Sequence, residues 1–147
     1  MSAEQTFTVA NLLALAAWVL LAVFPRRRAV TDVIAGTAVP AAFAALYSVI
    51  VAAAWSGSSG GFSSLAAVAA LFSSPWLLLA GWIHYLAFDL LIGTWEVRDA
   101  RAHGIPHAFV LPCLALTFLF GPAGWLLYRG VRRFAAREIS DRIPPRL

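Results

Sequence analysis

The chain has no lysine, one cysteine and one methionine, and only 12% of its 147 residues are charged. Ordinary soluble domains carry about a quarter charged residues, so a water-soluble globule is excluded. The single Cys113 lies in an apolar run, which rules out an intrachain disulfide and a thiolate-rich metal site. With lysine absent, the formal charge of +4 rests on eleven arginines, which keep their protons at any physiological pH. These arginines flank apolar blocks at Arg26 to Arg28, at Arg98 and Arg101, and from Arg129 to Arg146. Juxtamembrane charge belongs in such places, where it meets anionic head groups; nucleic-acid binding has no support.

What the chain has in quantity is apolar sequence: 61% of residues are hydrophobic and the mean hydropathy is +0.80. Four blocks are long enough to cross a bilayer, at residues 7–24, 30–54, 75–95 and 108–128. The expected architecture is therefore all-α: one transmembrane domain over residues 1–147, a four-helix bundle with a basic tail at 129–147. Residues 65–72 are apolar but too short to span, and predict a short interfacial helix between the second and third spans. The N-terminus has Glu4 and no basic residue before a long first block, so that block reads as a retained span rather than a cleaved signal.

Proline and glycine punctuate these blocks. Pro40 predicts a kink in the second span, and Pro112 and Pro122 predict kinks in the fourth, with Gly121 and Gly124 bracketing the latter. The FGPAG segment at 120–124 lacks the lysine and strand of a phosphate loop and reads as a bent, close-packed helix end. Asp32 follows Arg28 by four residues, a spacing for an interfacial ion pair. Trp18, Trp55, Trp76, Trp95 and Trp125 fall near span ends as an aromatic belt requires, while Trp82 falls inside a span and is expected to line the bundle interior. Four spans put both termini on one side and divide the arginines six to five. The six in the tail favour cytoplasmic termini by a narrow margin.

The informative stretch is GWIHYLAFDLLIGTWEVRDARAHGIPH, from Gly81 to His107. It sets His84 and Asp89 near the middle of the third span. An aspartate at that depth costs about 2.5 to 3.5 kcal/mol on insertion scales, which marks a functional site by default. At about 100° per residue, Tyr85, Asp89, Glu96 and Asp99 fall within an arc of roughly 80°, whereas His84 lies about 140° from Asp89. His84 and Asp89 can therefore flank a groove or meet partners on other spans: Asn11, Cys113 or His107. Histidine exchanges protons near neutral pH, and a carboxyl group shielded from water retains one, so the pair reads as a proton-handling site. The competing reading is interhelical hydrogen bonding that holds the bundle together. His84, Asp89, Glu96, His103 and His107 show none of the usual metal-ligand spacings. No metal or other cofactor is expected.

The run GWIHYLAFDLLIGTW, Asp99, the GIPH at 104–107 and LPCLALTFLFGPAGWLLY at 111–128 resemble the abscisic-acid-deficient-four-like membrane proteins. The resemblance covers most of the chain and is most specific over the third and fourth spans. Plant members serve the synthesis of neoxanthin from violaxanthin, an isomerisation that opens an epoxide and removes a vinylic proton to leave an allene. The resemblance thus implies a carotenoid or other isoprenoid lipid as substrate. It also implies a site drawn from His84, Asp89, Asp99 and His107, to which the helical face adds Tyr85 and Glu96. Asp89 as acid and His84 as base are the expected pair. An alanine-rich, arginine-only composition resembles the product of a GC-rich bacterial genome, so the expected location is a bacterial cytoplasmic membrane. A non-enzymatic membrane subunit or a small transporter with a His/Asp relay is the alternative, and an oligomer is left open.

Overall fold

A computed structural model describes the backbone of residues 1–141 and the side chains of residues 1–135. Among the described residues every regular element is helical. Helix α1 (Ala3–Val23) starts at a capping box, in which the Ser2 hydroxyl accepts from the Gln5 amide while the Gln5 side chain accepts from the Ser2 amide. Pro25 ends it, and Arg26 to Arg28 form the turn. The second block then enters as a π-helix (Ala29–Ala38) that passes directly into α2 (Val39–Ala54) and a 3-10 turn (Trp55–Gly57). Pro40 has no N–H to offer the Gly36 carbonyl. Instead of a simple kink, the chain keeps the wider π register up to Ala38 and becomes α-helical from Val39.

Helix α3 (Leu65–Leu71) is capped by Ser64, whose hydroxyl accepts from the Ala67 amide. Helix α4 (Pro75–Ala102) has 28 residues, about 42 Å at 1.5 Å per residue, and so outruns a hydrocarbon core of about 30 Å. It continues well past the expected end at residue 95 and carries Asp99 and Arg101 into the interface. It stops at Gly104 (φ 66°), where the Ile105 amide bonds the Ala100 carbonyl and the Gly104 amide bonds the Arg101 carbonyl.

The fourth block departs most from expectation. It is two helices, α5 (His107–Phe120) and α6 (Pro122–Asp141), broken at Gly121 (φ 39°). Three helical stretches are long and apolar enough to cross a membrane, Ala3–Val23, Ala29–Gly57 and Pro75–Ala102, and α5 is too short to be a fourth.

Contacts along α4 give the direction of every neighbour. Helix α1 runs parallel to it: Asn11 meets Trp82, Trp18 meets Gly93, and the Pro25 carbonyl meets Arg101. The second stretch runs antiparallel, with Asp32 at Arg98, Gly36 at Thr94 and Tyr47 at His84. Helix α5 is also antiparallel, starting with His107 at the end of α1 and reaching Tyr85 through Phe118. Helix α6 then returns: Gly121 lies at Asp89, Tyr128 at Asp99 and Arg132 at His103. The fourth block is thus a hairpin that descends beside α4 to its middle and climbs back to the end where it began. Proline at 122 and a glycine in left-handed geometry at 121 make the break, and Gly124 lets the returning backbone press on Thr117, where any Cβ would overlap.

Leu12, Val19, Val49, Leu78, Phe109 and Leu119 present apolar side chains outward. Such a surface suits lipid. Trp18 is buried against Gly93 and Phe118 instead of joining an aromatic belt, whereas Trp82 is exposed and donates to Asn11 Oδ1 (3.1 Å). Asp32 pairs with Arg98 (3.0 Å) and not with Arg28.

Candidate functional site

The face of α4 that carries Tyr85, Asp89, Glu96 and Asp99 is turned toward the α5–α6 hairpin. The Tyr85 hydroxyl, beside the Asp89 carboxyl, donates to the Phe118 carbonyl (2.9 Å) near the C-terminus of α5. That carbonyl lies within the last turn of α5, where the helix supplies no amide for it. Asp89 is 6% exposed and sits where the hairpin reverses; a Cβ at Gly121 would come within 2.8 Å of its Oδ1. The carboxyl group therefore stands at the first turn of α6, the positive end of that helix. One of its oxygens, Oδ2, has no partner among the described residues.

Two helical turns further on, Glu96 is fully buried. Thr117 donates to its Oε1 (3.0 Å), and its Oε2 has no partner among the described residues. Thr117 is held there by its close approach to Gly124. Two buried carboxyl groups, each with an oxygen to spare, thus line the seam between α4 and the hairpin. A lone buried carboxyl is expensive, and retaining two on one seam, facing protein and not lipid, indicates an inward polar site.

Asp99 ends the series at the basic end. Its Oδ2 accepts from the Tyr128 hydroxyl (2.6 Å) and from Arg132 Nε (3.1 Å). His103 Nδ1 lies 2.8 Å from the Asp99 carbonyl, which can only accept, so Nδ1 carries the hydrogen and Nε2 accepts from Arg132 Nη2 (2.9 Å). Asp99 and His103 are in this way locked to α6.

The structure does not bring His84 to Asp89. His84 lies on another face of α4, tilted against the ring of Tyr47 (5.8 Å between ring centres) and edge-on to Phe88 (4.6 Å). It lines a cavity of 210 Å³ with Trp55, Phe62 and Phe72. His107 is equally remote, with Nε2 donating to the Ala22 carbonyl (2.8 Å). The other partners considered for His84 and Asp89 are also engaged elsewhere: Asn11 with Trp82, and Cys113 with the Phe109 carbonyl. Among the described residues no three His, Cys, Asp or Glu side chains converge as a metal site requires. Sequence reasoning missed Thr117, Tyr128 and Arg132. The usable signals were a hydroxyl four residues before the Gly-Pro break and a Tyr-x-x-x-Arg pair on one helical face.

On the lipid-facing side, a groove of 680 Å³ opens between α1 and α4. Phe7, Phe72, Leu78 and Trp82 line it, and Tyr85 is the deepest polar residue along α4 to do so. The ring of Phe72 rests on Gly81, where a Cβ would come within 2.9 Å, and separates this groove from the His84 cavity.

Helices that are long and apolar, with an inward seam of carboxyl groups, define a multi-pass membrane protein. The chain belongs to the ABA DEFICIENT 4-like family, whose model matches residues 5–128. The match takes in α4, α5 and the returning turn as far as Tyr128, and stops short of Arg132. No curated protein and no solved structure matches the chain.

Proposed function

We propose that the protein binds an isoprenoid-type lipid, a carotenoid being one such molecule, in the α1–α4 groove and exchanges a proton with it through Tyr85 and Asp89. The observation that carries this reading is an aromatic-lined groove open to lipid with Tyr85 at its inner end, and the Asp89 carboxyl, with one unpartnered oxygen, beside that hydroxyl on the seam with the hairpin. An acid is needed to protonate an oxygen and a base to take a carbon-bound proton. Asp89, with an unpartnered oxygen and Tyr85 beside it, has the chemistry for either half. Family membership supports the reading without naming the substrate. His84, behind Phe72, is assigned to lining the second cavity.

The test compares lipid and pigment extracts from cells carrying wild type, Asp89→Asn, Tyr85→Phe or His84→Ala at equal protein levels. The product made by wild type should vanish in Asp89→Asn, fall in Tyr85→Phe and persist in His84→Ala. Identical extracts from all four would contradict the proposal.

A second reading, a non-enzymatic proton relay, draws support from Asp89, Glu96 and Asp99 following one another along α4 to the basic end. That series leads to one face of the membrane only, which favours local proton supply over transport across it. Proton uptake into vesicles that depends on Glu96 would favour the relay.

A further inference from the structure

All eight arginines whose side chains are described lie toward one end of the molecule. Arg26 to Arg28 follow α1, Arg98 and Arg101 close α4, and Arg129, Arg132 and Arg133 lie on the returning part of α6. The opposite end holds the start of α1, residues 55–64, α3 and the start of α4. Among the described residues it contains no arginine, and its one charged side chain is Glu4. The near-even division expected from four spans becomes a one-sided distribution because the fourth block turns back. Five of the eight arginines lie at this end whatever the hairpin does.

Little of that charge is neutralised internally. Asp32 takes Arg98 and Asp99 takes Arg132, while Arg26, Arg27, Arg28 and Arg101 make no ion pair among the described residues. Between them opens a cavity of 570 Å³ with a polar rim of Arg26, Arg101 and His107 over an apolar floor of Val97, Ile105 and Val110. Arg101 Nη1 donates to the Pro25 carbonyl (3.3 Å), which fixes the guanidinium at the rim. A charged rim above an apolar floor, at the level where α4 leaves the membrane, fits the phosphate and upper chain of a lipid better than it fits a soluble ligand.

We propose that this end binds the phosphate groups of an anionic leaflet, with one lipid phosphate seated between Arg26 and Arg101. The chain is accordingly oriented with its arginine end in the cytoplasm, and with the start of α1 and residues 55–64 on the far side. Basic residues near span ends are retained on the cytoplasmic side, and a distribution this lopsided leaves no contest. The orientation reverses, for the N-terminal end, the narrow preference that four spans gave.

Two measurements test it. In a Cys113→Ser background, Ser59→Cys and Ala102→Cys are each exposed to a membrane-impermeant maleimide in intact bacterial cells. Ser59→Cys should react at once and Ala102→Cys only after permeabilisation. The reverse pattern, or reaction of both in intact cells, would overturn the orientation. For the seat, purified wild type, Arg26→Gln and Arg26→Gln/Arg101→Gln are compared for retention of phosphatidylglycerol over phosphatidylcholine by native mass spectrometry. Wild type should prefer phosphatidylglycerol several-fold, the single variant less and the double variant least. Equal preference in wild type and Arg26→Gln, the variant that spares the Pro25 contact, would overturn the seated phosphate.

Discussion

The second and fourth apolar blocks are of similar length and each carries glycine and proline, yet one crosses beside α4 and the other turns back at its middle. In the second, Gly36 and Pro40 lie on a chain that stays helical throughout: the missing donor is absorbed by a π register, and Gly36 packs against Thr94 and Arg98. In the fourth, glycine directly precedes proline, and the glycine adopts φ 39°. A second glycine three residues later lets the two arms touch. Proline alone costs a helix one donor; a left-handed glycine beside it reverses the chain. Hydropathy, which scores both blocks alike, is blind to that distinction. Position within the fold follows from it: beyond the Asp32–Arg98 pair at its start, the crossing block packs apolar and aromatic groups on α4, and the returning block supplies hydroxyls and helix termini to its carboxyl groups.

The contrast is broken most severely at Gly124. Valine there would drive its Cβ into the Thr117 backbone, so Gly124→Val should cost about 3 kcal/mol or more and yield aggregated protein on size exclusion. Gly57→Val, in open space, should behave as wild type in the same assay. Next is Thr117→Val, which strips Glu96 Oε1 of its donor inside the seam and should lower stability by about 1–3 kcal/mol. Thr117→Ser should recover most of the thermal midpoint. Gly121→Ala should cost about 1–2 kcal/mol from its left-handed backbone, with further crowding of Asp89. At the small end, Asp32→Asn removes the crossing block's partner in an exposed ion pair with α4 and should leave the thermal midpoint unchanged at moderate salt.

Helical periodicity made the α4 face legible. Tyr85, Asp89, Glu96 and Asp99 share one side because 3.6 residues make a turn, whatever packs there, and the same arithmetic separated His84 from Asp89. The apolar blocks were legible for the same local reason. What packs against a face is not local. Asp32 chose Arg98, 66 residues away, over Arg28 on its own turn, and Trp18 went inward because Gly93 on another helix leaves room for an indole. The hairpin was half legible: FGPAG announced a bent, close-packed helix end, but reversal depends on the sign of one φ angle, which composition does not record. Arg132 was read as tail because its partners, Asp99 and His103, become neighbours only after that reversal.

A distance measurement decides whether the fourth block returns as a hairpin. With Cys113→Ser as background, spin labels at residues 103 and 132 report the gap between the end of α4 and the returning arm. Wild-type side chains at these positions are 2.9 Å apart at their nearest nitrogens. A hairpin predicts a narrow distribution below about 20 Å, even with the labels' own length. A fourth block that crossed the membrane would separate the two sites by about 30 Å or more, and a distribution centred there would rule the hairpin out.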